Sequence, residues 1–102
     1  MTPEGSTITV PVRFMGDLPA IIGQWDLVVT LPEGSRVGDL LASLSASYGD
    51  DFTARVFSGP AKLHHYMLVF VDGEDIKGLG GIAAGLRDGE VEVIMLPMFD
   101  GG

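Results

Sequence analysis

Cysteine is absent from the 102 residues of this chain. That one absence excludes disulfides, thiolate metal centres, iron–sulfur clusters and cysteine nucleophiles, and it suits a reducing compartment. Basic residues are scarce: 6 Lys plus Arg stand against 14 Asp plus Glu, a formal charge of −8. Such a surface repels phosphate backbones and favours basic protein surfaces, so a nucleic-acid partner is not expected. No apolar run approaches the roughly 20 residues that a membrane helix needs. The start, Met1 to Ser6, is short and polar and carries Glu4. It lacks the basic beginning and apolar stretch of a signal peptide. The expectation is a soluble, cytoplasmic protein without nucleic-acid or membrane partners.

Apolar residues make up 46% of the chain, enough for one ordinary core. A chain of this size buries about 60–70% of the surface it exposes when unfolded, and has no room for a second core. Between Thr7 and Phe14, residues Ile8, Val10, Val12 and Phe14 alternate with Thr7, Thr9, Pro11 and Arg13. Period two predicts a half-buried strand, and Pro11, which cannot donate to a ladder, suggests an edge or a bulge. Met15 to Gly23 reads as a connection. Trp25, Leu27, Val29 and Leu31 then mark a second strand, paired antiparallel with the first and ended by Pro32-Glu33-Gly34.

Ser35 is the expected N-cap of a helix whose apolar stripe is Val37, Leu40, Leu41, Leu44 and Tyr48 and whose stop is Gly49. It is the one helix that the pattern supports. The stretch Asp50 to His65 is irregular, with a short strand expected around Ala54 to Phe57. Tyr66 to Val71 is an apolar run ended by Asp72-Gly73, a buried strand closing in a tight turn. Ile76 and Leu79 suggest a brief return strand among turn glycines. Leu86-Arg87-Asp88-Gly89 is a further turn, and Val91, Val93 and Met95 share one face of a last strand, with Ile94 and Leu96 on the other. One helix against a mixed sheet of four or five strands is an α+β fold. Residues 1–97 form the domain, and residues 98–102, Met98-Phe99-Asp100-Gly101-Gly102, form a flexible tail.

That order of elements, ending on Gly-Gly, resembles the ubiquitin-like β-grasp sulfur carriers, the family of the molybdopterin synthase small subunit (MoaD) and the thiamine carrier (ThiS). The likeness rests on Val12-Arg13-Phe14, on Thr30 to Leu44, on Val69 to Ile76, and on Leu86 to Pro97 followed by the terminal glycines. Phe99-Asp100 departs from the small residues that the family places before Gly-Gly, which bears on the identity of the partner channel.

A terminal carboxylate is ionised at neutral pH and can attack an activated phosphate. Glycine, having no Cβ, lets backbone thread a narrow slot. The resemblance implies that an E1-like adenylyltransferase (MoeB/ThiF-like) adenylates Gly102 with ATP and magnesium. Sulfur then replaces AMP, and the Gly102 thiocarboxylate supplies a sulfur-accepting synthase large subunit, with molybdopterin the leading destination. Phe99, Asp100 and Gly101 would enter the partner's channel. The chain itself would bind no cofactor or metal and would be a protein cosubstrate, not an enzyme. Two alternatives stand beside this: a modifier conjugated through Gly102, and a β-grasp interaction module without carrier chemistry.

Other residues favour plainer readings. His64-His65 lack convergent partners and read as exposed loop histidines. Gly78-x-Gly80-Gly81 has no substantial helix after it to cradle a phosphate and reads as turn glycines. Glu90 and Glu92 share a face of the last strand and, with Asp50-Asp51 and Glu74-Asp75, read as solvated acid. Phe57, Tyr66, Leu68 and Phe70 are either core or a partner-binding patch.

Overall fold

The computed structural model describes residues 6–59, 62–86 and 89–95. Strand β1 (Thr7–Gly16) follows its sequence: Ile8, Val10, Val12 and Phe14 are buried, and Thr7, Thr9, Pro11 and Arg13 are exposed. β2 (Asp26–Pro32) returns antiparallel beside it, with Thr7 opposite Pro32 and Arg13 opposite Asp26. The connection between them holds a helix, α1 (Leu18–Ile22), where only a loop is expected from sequence. Pro19 fits its first turn, where a missing N–H is harmless. Leu18 and Ile22, one turn apart, are buried, and Gly23 closes the helix at φ 85.

β1 sits between β2 and β7 (Val91–Met95), but at Pro11 it is paired on the β2 side alone, so the residue lies at a local edge, as its sequence suggests, and not at a bulge. Hydrogen-bond parity explains its tolerance. Phe14 donates its N–H to Trp25 O at 2.8 Å, so the even residues of β1 face β2 and the odd ones face β7. The β7 ladder begins at Val12 opposite Val91, just beyond the donor that Pro11 lacks. Trp25 also departs from expectation. β2 starts one residue later, and the indole is 69% exposed instead of joining Leu27, Val29 and Leu31 on the inward face.

Helix α2 (Val37–Tyr48) buries Val37, Leu40, Leu41 and Leu44, the stripe that its spacing predicts. Its cap is Arg36, not Ser35. The Asp39 carboxylate accepts the Arg36 N–H at 2.8 Å, while Ser35 is buried and its hydroxyl donates to Pro32 O at 2.7 Å. Gly49 ends α2 at φ 84, and a further helix, α3 (Asp50–Val56), begins at once. The strand expected over Ala54 to Phe57 is therefore helical through Val56. Phe52 and Val56, four residues apart, enter the core from one face of α3.

β3 (Phe57–Gly59) and β4 (Lys62–Leu63) make a small separate ribbon. β5 (Met67–Val71) turns through Asp72 at φ 51 and Gly73 at φ 85 into the two-residue β6 (Glu74–Asp75). Two successive left-handed residues are what a tight hairpin with right-handed strand twist requires. The return strand expected at Ile76 and Leu79 is replaced by 3-10 turns at Ile76–Gly78 and Gly81–Ala83. The turn over Leu86 to Gly89 and the inward or outward placement of Leu96 lie partly or wholly outside the described residues.

The main sheet runs β2-β1-β7-β5-β6, with β7 parallel to β1 and antiparallel to β5. The buried residues of α1, α2 and α3 join the even residues of β1 and the odd residues of β5 and β7 in one core. This is the mixed, five-stranded α+β arrangement expected from the sequence. Leu41 has no exposed area and belongs to this core. Leu41→Ala should lower stability by about 2–5 kcal/mol through lost burial and the cavity left behind. Urea unfolding should show a lower midpoint at an unchanged m-value.

Candidate functional site

The residues that the sequence assigns to terminal chemistry, Phe99, Asp100, Gly101 and Gly102, lie outside the described residues, as does the expected boundary between residues 97 and 98. The structure does place the root from which they depart. β7 occupies the centre of the sheet and is held on both flanks: Met95 is opposite Gly16 on β1 and opposite Met67 on β5. Just after β1, Asp17 donates its N–H to Met95 O at 3.1 Å. Gly16 has φ +71, and a Cβ there would run into the Met95 carbonyl. Only glycine allows this approach, so the last described residue of the chain is clamped by the end of the first strand.

The same end of the sheet carries a row of apolar side chains on the face opposite the core. Register puts Met15, Ile94 and Leu68 side by side across β1, β7 and β5. Ile94 and Leu68 are half-buried and Met15 is 36% exposed. The next row is charged at its centre: Asp26, Arg13, Glu92 and Phe70 lie across β2, β1, β7 and β5. An apolar row bordered by charges of both signs, directly beside the strand that leads to the chain end, is suited to holding a protein partner in one register.

The other sequence candidates separate in space. Leu68, Phe70 and Glu92 belong to this open face, whereas Glu90 precedes β7 and its N–H donates to Asp72 Oδ1 at 3.1 Å. Phe57 and Tyr66 both pack at the margin of the core, and the Tyr66 hydroxyl donates to Arg55 O at 3.1 Å. His64 is tied to Ala54 O at 3.2 Å and stacks on Tyr66, with ring centroids 4.8 Å apart. Among the described residues no group of His, Asp and Glu could hold a metal ion. Gly80 and Gly81 are turn glycines with φ 102 and 69. Met15 continues the outward parity of Arg13, a signal present in the sequence, whereas its pairing with Ile94 follows only from the strand order.

No helix among the described residues is long and apolar enough to cross a membrane. A core-facing helix layer, a mixed sheet with the terminal strand parallel to the first, and an open face beside the departing chain define a ubiquitin-like β-grasp protein. The comparisons with known proteins agree. The sulfur carrier protein CysO of Mycobacterium tuberculosis is 34% identical over 71 residues, 68% of this chain and 74% of its own length. Small archaeal modifier protein 3 of Haloferax volcanii is 30% identical over 91 residues, 88% of this chain and 96% of its own. The chain belongs to this family of ubiquitin-like sulfur-carrier and small-modifier proteins.

Among solved structures, the Haloferax volcanii HVO 2177 protein superposes with TM-score 0.78 at 26% identity, covering 100% of this chain and 93% of that one. The Amycolatopsis orientalis BexX/CysO complex contains a match with TM-score 0.68 at 24% identity, over 91% of this chain and 99% of that one. A molybdopterin converting factor subunit 1 from Pyrococcus furiosus matches with TM-score 0.70 at 22% identity, over 88% and 99%. The last two speak for the fold alone. No family model matches.

Gly16→Ala should separate the close approach from ordinary backbone preference. Gly34, at φ +90 with open space around it, is the control. Gly34→Ala should cost about 1–2 kcal/mol from the left-handed backbone alone. Gly16→Ala should cost distinctly more, and hydrogen exchange at the Asp17 amide should accelerate as its bond to Met95 loosens. Equal losses in the two variants would contradict the clamp.

Proposed function

We propose that this protein carries sulfur on its terminal carboxylate. In this reading an E1-like enzyme (MoeB/ThiF-like) uses ATP and magnesium to join Gly102 to AMP, the carboxylate attacking the α-phosphate and pyrophosphate leaving. A persulfide on a partner protein then attacks the acyl carbon and AMP leaves. A second thiol of that partner cleaves the acyl disulfide, giving the thiocarboxylate and a disulfide, and the thiocarboxylate delivers its sulfur to an acceptor held by a second protein, the large subunit of a synthase. The observation that carries the reading is family membership through a sulfur-carrier relative, joined to a terminal strand clamped at the sheet's centre. The clamp supports the chemistry: a rigid root restricts where residues 96–102 can go, raising the effective concentration of the carboxylate once the domain has docked. With no cysteine, the chain can hold sulfur covalently only at that end.

The destination we propose is a molybdopterin precursor. It rests on the sequence likeness described above and on fold alone in the Pyrococcus furiosus match. The modifier reading is favoured by a different observation, the 30% identity over 91 residues to a small archaeal modifier protein. Both readings need the same activated Gly102.

Intact mass of protein isolated from cells tests them. The carrier reading expects the gain of one oxygen-to-sulfur exchange at Gly102, and the modifier reading expects lysine-linked adducts. Incubation with the cognate E1-like enzyme and labelled ATP should produce a Gly102 adenylate, and its absence would leave an interaction module. The open face supplies a second test. Ile94→Glu puts a charge into the apolar row without touching the core, and should lower kcat/KM for adenylation about tenfold or more while the fold is kept. An unchanged kcat/KM would exclude this face from docking.

A further inference from the structure

The chain's two lysines, Lys62 and Lys77, and its two histidines, His64 and His65, all line one pocket of about 280 Å³ on the helix side of β5. In a protein of formal charge −8, this places two of the six basic side chains at one site. The remaining lining is largely apolar and includes Leu63, Met67, Val69, Ile76 and Ile82. One carboxylate, Asp75, also lines it, and its Oδ1 is occupied by the Lys77 N–H at 2.9 Å. Among the described residues neither lysine forms an ion pair. A cavity of about 150 Å³ is enough for a benzene ring, so a phenyl group and an adjacent carboxylate fit here together.

The chain itself contains a segment of matching chemistry. Met98-Phe99-Asp100-Gly101-Gly102 combines two large apolar side chains with the Asp100 carboxylate and, on the carrier reading, a terminal carboxylate. Its root is at the pocket wall. Met67, which lines the cavity, is the antiparallel partner of Met95. Such partners lie about 5 Å apart, and residues 96–102 can span up to about 25 Å. Reach, charge and apolar content therefore agree.

We propose that this pocket is a docking site for the protein's own chain end, taking the Phe99 ring among Leu63, Met67 and Ile82 and the carboxylates beside Lys62 and Lys77. The contact is reversible, since exposed ion pairs are weak, and it withholds the terminus until a partner draws it out. This role in withholding the terminus rests on the carrier reading, whereas the docking itself does not.

NMR of the full-length labelled protein at low salt should give nuclear Overhauser contacts between the Phe99 ring and the methyl groups of Leu63, Met67 and Ile82. These should weaken in the double variant Lys62→Gln/Lys77→Gln, in Asp100→Asn, and at 1 M salt, where the screening length falls to about 3 Å. Absence of the contacts, together with identical pocket shifts in wild type and Phe99→Ala, would overturn the proposal. So would contacts that arise only between differently labelled copies in a mixed sample. Adenylation gives a separate readout: with subsaturating E1-like enzyme the double-lysine variant should react about threefold faster. If Gly102 is never adenylated while the ring contacts persist, the carrier reading fails and the docking stands.

Discussion

The insertion of β7 between β1 and β5 is the constraint on which the other features depend. Parallel pairing to β1 fixes Met95 beside Gly16, and antiparallel pairing to β5 fixes it beside Met67. One interaction thereby closes the sheet, gives the helices a continuous surface to cover, and sets the point from which residues 96–102 leave. A terminal strand at the sheet's edge would offer the same sequence to a partner with one flank unrestrained. Here the close approach of Gly16 to the Met95 carbonyl leaves no slack at the root.

The clean parity of the central strands has a second effect. Val91, Val93 and Met95 point into the core with Val69 and Phe14, so Ile94, Leu68 and Met15 must point out. The open face is thus a by-product of building the core from alternating residues, and its apolar row falls at the same end as the root of the chain terminus. The apolar row and the end of β7 are brought together by strand register alone, without a dedicated loop.

Strands with strict alternation and the twelve-residue α2 were legible in the sequence because their periods extend over enough residues to be unambiguous. α1 and α3 were not. Five and seven residues span too few turns: Leu18 with Ile21 and Ile22, and Phe52 with Val56, do not distinguish a helical turn from a loop. Pro11 was legible as a residue unpaired on one side, but not which side, because that depends on which neighbour its missing N–H would face, and pairing parity is a property of the sheet. Trp25 shows the limit of hydrophobicity as a guide, since a large apolar residue one position outside a strand is free to face solvent. For the site, the open face could be anticipated from Leu68, Phe70 and Ile94 individually. Their convergence with Met15 needed the order β1-β7-β5, and the gathering of Lys62, His64, His65 and Lys77 needed the fold of the β3–β5 region against the turn at residues 76–82.

Pairing the first strand with the last also has a consequence for biosynthesis. The sheet cannot close on a chain still being made, because β1 must wait for β7 to emerge from the ribosome. Folds rich in contacts of such long sequence separation form slowly. A polypeptide that stops before Val91 therefore lacks the parallel pairing that holds Met95 beside Gly16, whatever the rest of its sequence.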